Sequence, residues 1–98
     1  MITKTIGIIG GMYKQQHIKK IEEKYAVKVI SNDGRSVRKK ALLNIANQVD
    51  CLVIVRKFCG HEAMYGAKEA ANNTDTPIIF PLETNMDKII QSGMAALI

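Results

Sequence analysis

The run Cys51-Leu52-Val53-Ile54-Val55 contains no polar residue. A strand with one face in water alternates, so an unbroken apolar run predicts a strand covered on both faces, the kind found in parallel sheets with helices above and below. The rest of the chain supplies its neighbours. Ile6-Gly7-Ile8-Ile9, bounded by Gly10-Gly11, reads as a second buried strand. Val27, Val29 and Ile30 give another, stopped by the turn cluster Ser31-Asn32-Asp33-Gly34. Pro77-Ile78-Ile79-Phe80 gives the last, with proline at its first position, where a missing donor is tolerated.

Helical patterns separate these strands. Ile18, Ile21 and Tyr25 recur at three and four residues, with Lys19, Lys20, Glu22, Glu23 and Lys24 between them, so one face packs and the other meets water. From Ser36, a good N-cap, the positions Val37, Ala41, Leu42, Ile45 and Val49 mark a second helix. A third begins near His61, after a loop from Arg56 to Gly60, and packs through Ala63, Met64, Ala67, Ala70 and Ala71. Thr84 and Asp87 have the spacing of a capping box for a fourth, lined by Ile90, Met94 and Leu97. Strand and helix alternate four times with short connections, which requires parallel βαβ units. The expected fold is a three-layer α/β sandwich over residues 1–98, one Rossmann/flavodoxin-like domain with a four-stranded parallel sheet. The order 2-1-3-4 puts the two most apolar strands in the centre; 3-2-1-4 is the alternative.

Ligands of open parallel sheets sit beyond the carboxyl ends of the strands, where the strand order reverses. That crevice is lined by the loops 10–15 and 56–61 and flanked by the turn at 32–35. Tyr13, Lys14, Asp33, Arg35, Arg56, Lys57, Cys59 and His61 all fall there. Gly7, Gly10 and Gly11 match neither the dinucleotide fingerprint nor the phosphate loop. Gly10 and Gly11 still permit a tight turn before a helix N-terminus, as does Gly60 before the third helix, and a helix N-terminus beside cations suits phosphate or carboxylate. Arg56 and Lys57 are expected to lower the pKa of Cys59, making it a weak candidate nucleophile with His61 as its only base. His17 is expected to face solvent. Paired carboxylates and spaced histidines are missing, so no metal is expected and no cofactor is named.

The chain resembles a bacterial family of small domains of unknown function with a Rossmann-like sheet. The resemblance rests on Ile8-Ile9-Gly10-Gly11, Asn32-Asp33-Gly34, Asp50 to Val55, His61 with Lys68, and Thr76 to Phe80. It implies the same fold and adds weight to Asp33 and His61, with no reaction to carry over. Asn32, Arg35, Lys57, Cys59 and Gly60 stand where that family's pattern has His, Gly, Asp, Val and Ser. Lys in place of Asp moves the site toward anions. A phospho-acceptor receiver would need acids where Gly10-Gly11 and Arg56-Lys57 stand, and a sugar-uptake phosphotransfer component would need a cysteine right after the first strand.

The 98 residues carry 14 Lys and Arg against 9 Asp and Glu, a net charge of +5, with Cys51 and Cys59 the only cysteines. No disulfide scaffold follows, no run reaches the ~20 apolar residues of a membrane span, and a cytoplasmic protein is expected. The leading expectation is a non-catalytic or weakly catalytic module that binds a phosphate-containing small molecule, a nucleotide or phosphorylated metabolite. Two alternatives stand beside it. One is a protein or nucleic-acid interaction module using the basic first helix from Lys14 to Lys28, not favoured because aromatics do not interleave with those lysines. The other is a small enzyme with His61 as acid or base. After Lys88 the sequence is uncharged through Gly93-Met94-Ala95-Ala96-Leu97-Ile98, which points to a homodimer using that helix or an adjacent sheet edge.

Overall fold

The computed structural model describes residues 4–11, 13–32, 39–82 and 84–97. Strands β1 (Lys4–Ile9), β2 (Val27–Asn32), β3 (Cys51–Ile54) and β4 (Ile78–Ile79) alternate with helices α1 (Gln15–Tyr25), α2 (Lys39–Gln48), α3 (His61–Thr74) and α4 (Met86–Ala95). All pairings are parallel and the order is β2-β1-β3-β4, so the alternative 3-2-1-4 is excluded. Ile6 to Ile9 lie opposite Cys51 to Ile54.

The apolar run of β3 is buried along its whole length, and its alternate side chains feed two cores. Cys51, Val53 and Val55 join Ile6 and Ile8 under α1 and α4, where Ile18, Ile21, Ile89 and Ile90 close the layer. Leu52 and Ile54 join Ile9 on the opposite face, under Leu42 and Ala46 of α2 and Ala67, Ala70 and Ala71 of α3. The alanines of α3 let it sit close to α2: a Cβ on Gly66 would lie 2.8 Å from Leu42 Cδ1. Helices therefore cover both faces in pairs, the three-layer arrangement expected.

Three local expectations change, and a fourth falls outside the described residues. Asn85, not Thr84, caps α4, its side chain accepting the Lys88 N–H at 3.3 Å; an Asn accepts that bond as readily as a Thr, and it stands one residue nearer the helix. The loop after β3 contains a 3₁₀ turn over Arg56–Phe58. The ladder of β4 ends at Ile79, although the Pro77 carbonyl accepts the Leu52 N–H at 2.8 Å. Ser36 and Val37 lie outside the described residues. At the far end of the chain Met94, Ala96 and Leu97 pack against the molecule's own core.

Candidate functional site

The carboxyl ends of β1 and β3 are stitched together. The Val55 N–H donates to the Ile9 carbonyl at 2.9 Å, and the Gly10 N–H donates to the Asn32 carbonyl at 2.8 Å, so the ends of three strands meet at one point. The chain then turns through Gly10 (φ 109°) and Gly11 (φ 85°), a conformation that only glycine adopts readily. Space requires glycine at the first of them as well, because a Cβ there would fall 2.8 Å from Cys59 Sγ and 3.0 Å from the Val55 carbonyl oxygen. A Cβ on Gly11 would fall 3.1 Å from the Phe58 ring and 3.2 Å from the Tyr13 ring. The loops that the sequence assigned to a crevice are thus in contact, with Gly10, Gly11, Tyr13 and Cys59 together.

Lys14 and Gly60 sit at equivalent places, as the N-caps of α1 and α3. Neither N-cap residue closes its helix through its own side chain, so among the described residues the first-turn N–H groups and the positive dipole end have no such cap. Among the described residues nothing lies within 4 Å of a Cβ built on Gly60, so on their side the approach to α3 is open. Arg56 and Lys57 are exposed on the 3₁₀ turn, and Lys14 and His61 are exposed as well. His17 is exposed on α1, as expected. Asp33 and Arg35 lie outside the described residues.

Two buried groups complete the site. The Tyr13 hydroxyl is out of contact with water and has no hydrogen-bond partner among the described residues; burial raises its pKa. The Cys59 thiol donates to the Ile9 carbonyl at 3.3 Å, and burial pushes its pKa up. This overturns the expectation of a thiolate favoured by neighbouring cations: Arg56 and Lys57 extend into water while the sulfur is tucked under Gly10. Cys51 is fully buried in β3, its thiol pushed up to about 11 by burial and by Asp50 beside it. Among the described residues no group of three or more His, Cys, Asp or Glu is placed to hold a metal ion.

One cluster escaped the sequence reading. Tyr65 stacks on His61 with ring centroids 6.4 Å apart and planes 27° from parallel. Lys68 Nζ lies 5.9 Å from the centre of the Tyr65 ring and 5.1 Å from that of Phe80, between the two. The spacing of residues 61, 65 and 68 on one helix face was the available signal; the part played by Phe80 becomes visible only once β4 is set beside α3.

Fold and site define a parallel α/β domain whose candidate binding surface lies at the carboxyl ends of its two central strands. The chain belongs to a bacterial family described as "Uncharacterized protein conserved in bacteria (DUF2325)", whose pattern matches residues 5–92. It is 30% identical over 77 residues to the UPF0751 protein DSY3086 of Desulfitobacterium hafniense (strain Y51), covering 76% of each chain. It is 32% identical over 78 residues to the UPF0751 protein BAMEG_A0107 of Bacillus anthracis (strain CDC 684 / NRRL 3495), covering 78% of each. No solved structure matches the chain significantly. No helix among the described residues is long and apolar enough to cross a membrane.

Proposed function

We propose that this protein is a cytoplasmic module that binds a small anion, a nucleotide or phosphorylated metabolite, across the loops that follow β1 and β3, with little or no catalysis. The observation that carries the reading is the pair of helix starts, α1 at Lys14 and α3 at Gly60. Both lack a side-chain cap, both begin beside joined strand ends, and Lys14, Arg56 and Lys57 are exposed around them. Unsatisfied N–H groups and nearby cations attract phosphate oxygens through hydrogen bonds and charge together. Burial that raises the Cys59 pKa supports binding over covalent chemistry. Homodimerisation belongs to the same reading, since so small a domain encloses little by itself. The basic face of α1 has weaker support as a nucleic-acid contact, because Lys24 is paired with Asp87 at 3.0 Å.

Thermal-shift measurements with phosphorylated metabolites at millimolar concentration test the proposal. A rise in Tm that shrinks in the Arg56→Ala, Lys57→Ala double variant supports it. No rise with any of them, or the same rise in parent and variant, refutes it.

A further inference from the structure

We infer that the outer face of α3, with the 3₁₀ turn before it and the end of β4 beside it, is a stacking platform for single-stranded nucleic acid. The chain has only five aromatic residues of the Phe and Tyr types and no Trp. Tyr13 and Tyr25 pack against one core, Tyr65 and Phe80 flank Lys68 beside α3, with Phe80 also reaching the other core, and Phe58 lies on the 3₁₀ turn that precedes α3. Tyr65 is 67% exposed and Phe58 47% exposed. Tyr65, held against His61 and Lys68 with two thirds of its surface in water, offers its ring to a ligand with flat faces.

The cations are interleaved with the rings. Arg56 and Lys57 precede Phe58 directly, His61 lies against Tyr65, and Lys68 is held between Tyr65 and Phe80. This is the combination that single-strand binders use: basic groups follow the backbone while bases stack on aromatic faces without regard to sequence. The acids nearby do not cancel it. Among the described acids of α3, Glu69 is drawn toward Lys39, at 3.6 Å, which leaves Glu62 in the first turn and Asp75 at the C-cap, at opposite ends of the helix from each other. An acidic peptide would use the cations and leave the exposed rings unexplained. A duplex keeps its bases stacked on each other and unavailable to Tyr65. A mononucleotide would need one ring, whereas exposed rings occur on both the 3₁₀ turn, at Phe58, and the second turn of α3, at Tyr65. The surface differs from the basic face of α1, where no ring accompanies Lys19 or Lys20 among the described residues, and although it shares Arg56, Lys57 and His61 with the small-anion loops, it is tested separately through the Tyr65 ring.

Fluorescence anisotropy with a labelled oligothymidylate of about 12 nucleotides, read against a duplex of the same length at low and high salt, tests this on the full chain. The parent is expected to bind the single strand more tightly than the duplex, and less tightly as salt rises. Tyr65→Ala is expected to weaken single-strand binding roughly tenfold, because one stacked base is lost. Tyr65→Phe keeps the ring and should bind as the parent does. The Lys19→Ala, Lys20→Ala double variant should lose less than Tyr65→Ala. Absence of binding at low salt, equal affinity for the duplex, or a Tyr65→Ala protein that binds like the parent would each overturn the inference. Tyr65 is exposed on a helix surface, so its variants are expected to fold, and an unchanged Tm verifies that.

Discussion

At Gly10 backbone conformation and packing impose the same requirement. A residue with a Cβ would hold a strained φ of 109° and press on the Val55 carbonyl oxygen, which accepts the Phe58 N–H at 3.0 Å in the following 3₁₀ turn. Gly10→Ala is therefore expected to destabilise the fold by about 1–3 kcal/mol, seen as a lower midpoint in urea. Gly60→Ala is the control. Gly60 has φ −78° and open space around its Cβ position, so that variant should unfold at nearly the parent's midpoint. Near equality of the two variants would show that the β1 turn is looser than described. The Gly10-Gly11 turn was legible in the sequence because paired glycines after a buried strand have few other uses. The state of Cys59 was not, since neighbouring residue types reveal charge but not which way the sulfur points, and here burial outweighs the adjacent cations.

Between elements, the contact of α1 with α4 has an electrostatic component that titrates. Asp87 Oδ1 accepts from Lys24 Nζ at 3.0 Å and from the Tyr25 hydroxyl at 2.9 Å, and Gln91 Nε2 donates to that hydroxyl at 3.1 Å. The hydrogen bond from Lys24, then that from Tyr25, hold the Asp87 carboxyl below its ordinary range. Lys24 is raised by the same pair. A depressed carboxyl stabilises the fold above the unfolded value of about 3.9 and loses that contribution as pH falls through the folded value. The raised ammonium contributes below about 10.4 and loses its share as pH rises through the folded value. Both groups are exposed, so the effect is small. Asp87→Asn should lower Tm near pH 6 and bring it closer to the parent as pH falls below the carboxylate range; a constant gap at every pH would remove titration from the account. The strand order was readable at this scale, because the two most apolar strands must be central. The cap at Asn85 and the 3₁₀ turn were not, because Thr84 and Asn85 are both good caps and Arg56-Lys57-Phe58 carries no local turn signal. The meeting of Lys68 with Phe80 needs the α3–β4 crossover in place before the two residues are neighbours.

For the whole molecule the open question is assembly, and the fold narrows the surfaces left for it. The radius of gyration, 12.1 Å, compares with about 13 Å for a compact 100-residue domain, so no element reaches away toward a partner. Both sheet edges are guarded. On β2 the Val29 N–H is taken by the Glu22 carboxylate at 2.9 Å, and β4 is only two residues long and follows Pro77; an occupied donor and a short edge both discourage strand addition. At the apolar end of α4 Met94, Ala96 and Leu97 turn inward, while Ala95, one of the two residues on which the expectation of a dimer rested, is exposed and the other, Ile98, lies outside the described residues. Leu82, 75% exposed after β4, is then the aliphatic group best placed for a second copy. Each copy carries +5, so association must overcome mutual repulsion that salt screens. The homodimer should grow with ionic strength, opposite to the single-strand binding inferred for α3, which releases counterions and weakens as salt rises. Sedimentation equilibrium at low and high salt separates the two. A mass near twice 10.9 kDa that increases with salt and reverts in Leu82→Ser is the expected result. A parent that stays at 10.9 kDa up to high micromolar concentration in both salts would rule out the dimer and leave each protomer to bind its ligand alone.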